Sequence, residues 1–183
     1  MVIGPDAVRE PRHDEFDEID DLLVAAFETP AEAKLVRQLR KDGAMAVELV
    51  TPWEGKIGAY IALSRMQAPD GWLCLAPMAV RPEWQDGALV PSLGQEPHFR
   101  FGSRLLRQLA LAYESGLFAK RFGKDVSIVV LGKPSFYQRA GFNLDRAQNL
   151  TSPYPLEYTL ILRHGEDAPE VTLVYPLAFE ALG

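Results

Sequence analysis

The chain has 183 residues, 48% of them hydrophobic and 24% charged, with a formal net charge of −6. That length suggests one domain spanning residues 1–183, large enough to bury a core without disulfides or a metal. The acidic balance argues against nonspecific nucleic-acid binding, which needs clustered Lys and Arg on phosphates, and a lone cysteine, Cys74, allows no internal disulfide and suits a reducing, cytoplasmic setting.

Met1 to Glu10 carry neither a basic start nor an apolar run, so no secretory leader is expected. No stretch approaches the ~20 apolar residues that span a bilayer, so no membrane partner is expected either. From Asp14 to Phe27 apolar residues recur at helical spacing (Phe16, Ile19, Leu22, Leu23, Ala26, Phe27), and acids crowd the first turns, where the helix dipole favours them. Asp14 to Asp21 thus reads as a solvated helix face. Thr29 as N-cap, Pro30 as first residue and Glu32 at the capping-box position predict a second helix, to about Lys41.

Ala44 to Val50 and Lys56 to Met66 read as a strand hairpin across Thr51 to Gly55. Trp72 to Val80 is apolar nearly throughout, as in a strand covered on both faces, and Pro77 within it predicts a bulge. Arg81 to Pro97 is irregular, punctuated by proline and glycine, a length of loop that is often functional or mobile. Phe101 to Ser115 reads as a helix and Val126 to Leu131 as a buried strand, which makes a parallel βαβ unit with the strand before it. A short helix over Pro134 to Arg139 follows, then strands over Glu157 to Arg163 and Val171 to Tyr175. The fold class is therefore α/β of the α+β type: a mixed, mostly antiparallel central sheet with helices on both faces.

Three stretches carry a resemblance that covers nearly the whole chain. They are LAPMAVRP (Leu75 to Pro82), FGSRLL (Phe101 to Leu106) and LGKPSFYQRAGF (Leu131 to Phe142). They resemble the bulged strand, the cofactor-helix start and the later strand–helix block of the GNAT acyl-CoA N-acyltransferases. The last block resembles in particular a bacterial branch with a Gly-x-Pro-x-(Phe/Tyr)-Tyr pattern, here Gly132, Pro134, Phe136 and Tyr137.

The resemblance implies an acetyl-CoA-dependent N-acetyltransferase. Backbone N–H groups of Phe101, Gly102, Ser103 and Arg104 would face the pyrophosphate, as helix N-termini do for anions, with Gly102 leaving room for it. The pantetheine arm would pair like an added strand near Met78, Ala79 and Val80. Tyr137 would protonate the departing CoA thiolate as general acid. The general base is not legible. The acceptor would be a primary amine on a small molecule or a peptide, and homodimerisation stays open. An alternative on the same fold is a non-catalytic acyl-CoA-binding or protein-interaction module.

The family's pyrophosphate signature, Gln/Arg-x-x-Gly-x-Gly/Ala, is altered here. Pro97 to Gly102 occupies its place, and Arg100 stands where a glycine is expected. Arg100 is expected to contact phosphate directly, the other reading being that it obstructs the loop. Cys74 reads as inert core, and His13, His98 and His164 show no ligand spacing, so no metal is expected. Trp53 and Trp84 fit either an acceptor pocket or a cover over apolar edges. The N-terminal helix pair is expected to wall the acceptor site.

Overall fold

The alternation of apolar residues along each segment decides which elements form and what they cover. The computed structural model describes residues 8–87 and 101–182. Helix α1 (Phe16–Phe27) follows one 3-10 turn, buries Ile19, Leu22 and Leu23, and ends at Glu28 in a left-handed conformation. Helix α2 (Ala31–Lys41) begins one residue later than its sequence signals suggest. Thr29 Oγ1 accepts from the Ala31 N–H at 3.2 Å, but one Glu32 carboxylate oxygen is buried without a partner, so no capping box closes there.

Strands β1 (Met45–Trp53) and β2 (Lys56–Arg65) form the hairpin, with β1 running on past the expected end at Val50. The expected five-residue connection shrinks to Glu54 and Gly55, both at positive φ (49° and 75°), as a tight primed turn requires. Pro52 is accommodated inside β1 because β1 is the edge strand and its register shifts between Thr51 and Pro52. Strand β3 (Leu73–Val80) pairs antiparallel with β2. Its register shifts between Ile61 and Leu63, opposite Ala76 and Pro77, where the sequence predicts a bulge.

Helix α3 (Phe101–Glu114) crosses over, and Gly116, at φ 89°, separates it from a further helix that its sequence pattern does not announce, α4 (Leu117–Phe122). Strand β4 (Ser127–Leu131) then lies parallel to β3, helix α5 (Pro134–Gln138) follows, and β5 (Thr159–Arg163) pairs antiparallel with β4. The sheet order is β1-β2-β3-β4-β5 with one parallel pair. The strand expected over Val171 to Tyr175 does not join it. That segment, between Pro169 and Pro176, makes one bridge to Ala68 through Val174 and another to Thr151 through Thr172. It stitches two loops instead of extending a ladder.

The core lies on both faces of the sheet. On one face Leu105, Leu106 and Leu109 of α3 pack with Leu63, Leu73, Leu75, Ile128 and Val130. On the other, Leu35 and Leu39 of α2 meet Cys74, Val129 and Ile161, and Leu22, Leu23 and Val36 meet Tyr60, Ala62 and Ala79. Helices α1 and α2 thus cover the face opposite the crossover helix. No helix among the described residues is long and apolar enough to cross a membrane.

Candidate functional site

The parallel pair is short. It runs Leu73 to Leu75 against Ile128 to Val130, and there the two strands part. Beyond that point, among the described residues, β3 pairs with β2 alone, with Met78 opposite Ile61, Ala79 opposite Tyr60 and Val80 opposite Ala59. The Arg81 N–H donates to the Gly58 carbonyl at 2.8 Å. Bonded and non-bonded pairs alternate along an antiparallel ladder. Arg81 and Ala79 therefore direct their backbone groups at β2, while those of Met78 and Val80 point into the gap left by β4.

Around this gap lies a cavity of about 550 Å³, lined by Met78 and Val80 of β3, Phe101, Gly102 and Ser103 of α3, and the Gly132 to Tyr137 block. Six residues singled out from sequence for the cofactor or the chemistry line it: Met78, Val80, Phe101, Gly102, Ser103 and Tyr137. Ala79 does not. Its side chain is buried among α1 and α2 residues on the other face and its backbone faces β2, because side chains and backbone groups both alternate along a strand. Arg104 is absent from the cavity lining, and its Nε is buried without a hydrogen-bond partner. Arg100 and His98 lie outside the described residues, as does most of the segment expected to be mobile, Arg81 to Pro97. Neither α1 nor α2 contributes to the lining, so the expectation that they wall an acceptor site finds no support in this cavity.

Tyr137 is held from three sides. A Cβ on Gly132 would lie 2.5 Å from Tyr137 Cε2, so only glycine there leaves space for the ring. Phe136 and Phe142 meet it edge-on at centroid distances of 5.1 and 5.8 Å. Its hydroxyl donates to the Met78 sulfur at 4.0 Å, a weak acceptor. Burial, with the neighbouring Cys74 thiol adding to it, pushes the hydroxyl up from 10.0 to about 12. It therefore keeps its proton throughout the neutral range. Cys74 is fully buried and its thiol is likewise raised to about 12, which leaves it without thiolate character near neutrality.

Gly102 has a packing role of its own. An added Cβ would sit 3.0 Å from Val80 Cγ2 and 3.1 Å from Met78 Cε, so its bareness lets α3 settle onto β3. Trp84 stacks on Phe101 at 4.9 Å, and both rings press on Gly58, where a Cβ would come within 2.9 Å of each. Trp84 thus closes one end of the cavity, while Trp53 packs against the main core. Gln85 Nε2 donates to the Val80 carbonyl at 2.9 Å.

Gln85, Lys133, Ser135 and Arg139 line the cavity without having been singled out by sequence. Their place in and beside the Gly132 to Tyr137 block was the available signal for the last three. The acidic run also holds more than a solvated face. Glu18 Oε1 accepts from the Ile57 N–H at 2.7 Å and from Arg81 at 3.2 Å, and Asp20 pairs with Arg37 at 2.7 Å. Among the described residues no group of three or more His, Cys, Asp or Glu could hold a metal ion.

No family model matches the chain. Among curated proteins it is 36% identical over 141 residues to the uncharacterized N-acetyltransferase YhbS of Escherichia coli K12, covering 75% of this chain and 73% of that one. The crystal structure of the Escherichia coli GNAT family N-acetyltransferase YhbS in complex with CoA superposes with a TM-score of 0.76 at 29% identity, covering 100% of this chain and 96% of that one. A GNAT family acetyltransferase from Brucella melitensis, in complex with acetyl-CoA, shares the fold with a TM-score of 0.68 at 24% identity, covering 94% and 97% of the two chains.

Proposed function

The chain belongs to the GNAT family of N-acetyltransferases, and on that premise we propose that it moves an acetyl group from acetyl-CoA to a primary amine, with Tyr137 as general acid. The observation that carries this reading is the Tyr137 hydroxyl, protonated and weakly bonded, on the wall of the cavity where β3 and β4 part. The donor set around it suits the cosubstrate. An amide-rich arm finds the backbone groups of Met78 and Val80, and a polyanion finds Lys133 and Arg139 among the described lining residues.

Each of this chain's groups then has a task. Backbone groups of Met78 and Val80 hold the extended arm in strand-like pairing. The Gln85 amide already occupies one lone pair of the Val80 carbonyl and leaves the other for that pairing. First-turn N–H groups of α3, from Phe101 to Arg104, face the pyrophosphate, and Arg100 adds a charge-assisted contact to it. The neutral amine attacks the thioester carbonyl, the tetrahedral intermediate collapses, and the C–S bond breaks. The electron pair leaves on sulfur, and the Tyr137 hydroxyl supplies the proton that makes it a thiol. The amine's own surplus proton passes to solvent or to a base; among the described residues the cavity lining holds no carboxylate or imidazole.

The acceptor is a small-molecule or peptide amine, and residues 1–183 act as one domain. Calorimetric titration with acetyl-CoA, followed by a thiol-release assay over a panel of small and peptide amines, tests the proposal. Saturable binding with amine-dependent thiol release is expected. Binding with no turnover on any amine would leave an acyl-CoA-binding module in place of an enzyme.

A further inference from the structure

Packing fixes the Tyr137 ring but not its proton. Gly132, Phe136 and Phe142 confine the ring, while the hydroxyl hydrogen still turns about the C–O bond to suit its acceptor. Among the described residues that acceptor is the Met78 sulfur, at 4.0 Å. The Met78 side chain is itself confined. It packs against the core beneath α3, and its terminal methyl lies 3.1 Å from where a Cβ on Gly102 would stand. The thioether is therefore wedged between the first turn of α3 and the Tyr137 hydroxyl, on the wall of the cavity. Tyr60 and Tyr113 differ. Tyr60 donates to the Glu48 carboxylate at 2.7 Å and Tyr113 to the Val126 carbonyl at 2.6 Å, and neither lines the cavity.

An acid that acts once per turnover needs its proton aimed and yet free to leave. A carboxylate or carbonyl would hold it, and that bond would have to break before transfer. With no acceptor the proton would have no preferred direction. A divalent sulfur is a weak acceptor and meets both needs. It is also the same kind of atom as the one that a CoA thioester presents. We propose that Met78 is a positioning residue: its thioether keeps the Tyr137 O–H turned toward β3, where the thioester arm runs, and yields the proton to the departing sulfur of CoA. The assignment rests on Tyr137 as general acid. In that step the Tyr137 O–H bond breaks, its hydrogen forms the S–H bond of CoA, and the phenolate oxygen regains a proton from solvent. One residue thus serves the cosubstrate twice. The Met78 backbone pairs with the pantetheine arm, and its sulfur orients the acid for the leaving group.

Met78→Leu keeps the volume and removes the acceptor, and Met78→Gln keeps the length and supplies an oxygen. Each is made with Tyr137 present and in Tyr137→Phe. Turnover is read at saturating acetyl-CoA on an amine that the wild type accepts, with single-turnover kinetics for the slow backgrounds, beside calorimetry and thermal melts. With Tyr137 present, Met78→Leu should lower turnover about three- to tenfold. Met78→Gln should lower it at least as much, since its oxygen holds the proton more strongly. Acetyl-CoA affinity should change less than turnover, because the sulfur acts on the hydroxyl and not on the bound arm. In Tyr137→Phe, which has no proton to aim, both substitutions should leave turnover within about twofold. That dependence on the hydroxyl supports the proposal. Equal losses with and without it make Met78 a packing residue and overturn the proposal alone, as does wild-type turnover in Met78→Leu. Wild-type turnover in Tyr137→Phe overturns the general acid and the positioning role together. A wild type that turns over no amine removes the reaction, and the proposal with it.

Discussion

Tyr60 is buried and Tyr137 half-buried against the same sheet, and their hydroxyls meet opposite surroundings. Tyr60, on β2, is wholly inaccessible, and its hydroxyl donates to Glu48 Oε1 at 2.7 Å. Arg40 grips the same carboxylate at 2.7 Å and lies 3.7 Å over the Phe16 ring. Tyr137 finds only a thioether sulfur at 4.0 Å and borders a cavity. Burial is the main cause of the raised pKa in both; for Tyr60 the Glu48 charge adds to it. A hydroxyl bonded to a charged carboxylate between two elements works as a fastener. A hydroxyl left with a weak partner at a cavity edge stays available to a reacting atom.

The largest expected effect is at Tyr137. Tyr137→Phe keeps the ring between Phe136 and Phe142, so melting temperature and acetyl-CoA affinity should hold. Turnover should fall about 10²–10⁴-fold, because proton donation acts only as the C–S bond breaks. Steady-state kinetics beside a thermal melt decides it, and wild-type turnover would make Tyr137 a packing residue.

Tyr60→Phe should do the reverse. Losing a buried bond to a charged partner is expected to cost about 1.5–3 kcal/mol, or roughly 5–10 °C of melting temperature in a chain of this size. Turnover per folded molecule should not change. Glu48→Gln, which leaves the Arg40 charge half-buried without its counterion, should cost about 3 kcal/mol. If either variant instead loses turnover while melting normally, the division between fastener and acid is wrong.

Gly132→Ala probes how tightly the acid is placed. The new methyl meets the Tyr137 ring, and overpacking of this kind is expected to cost about 1–3 kcal/mol. Displacing a catalytic group by about 1 Å can cost on the order of 10²-fold in rate, so turnover should drop while acetyl-CoA affinity changes less.

The smallest effect is in pH. The folded state lifts the Tyr137 hydroxyl from 10.0 to about 12 and raises Tyr60 as well. Between the unfolded and folded values the native chain binds more protons than the unfolded one. Stability is therefore full below pH 10 and declines as pH rises through 10 toward 12. Melts from pH 8 to 11 should show that decline, and it should be shallower in Tyr60→Phe, which lacks one of the titrating groups. The pH–rate profile should show no loss of the acid between pH 7 and 10. A limb in that range that disappears in Tyr137→Phe would contradict the raised value.

The bulge in β3 was legible because Pro77 has no N–H to give a ladder, and the parallel crossover because a β-branched run follows a helix. The Gly132 to Tyr137 block was legible through its spacing of glycine, proline and aromatics. Helix α4 is not announced by the sequence because its six residues, Leu117–Phe122, are too few to display a period. Val171 to Tyr175 reads as a strand because its residues are β-branched, apolar or aromatic. Single bridges to two loops satisfy the same apolar pattern.

Local chemistry along the chain dictates where backbone is barred from regular pairing and where side chains must turn inward, so element types, the bulge and the Tyr137 block follow from residues close together in sequence. It does not dictate which way each backbone group faces once a neighbouring strand departs. That Met78 and Val80 open toward the gap while Ala79 closes toward β2 depends on register with a strand some twenty residues away, Lys56–Arg65. That Lys133 and Arg139 share a cavity with Ser103 depends on α3 packing on the face of the sheet. Such positions are set by long-range packing, in which many weak contacts act together, and no local window of sequence contains them.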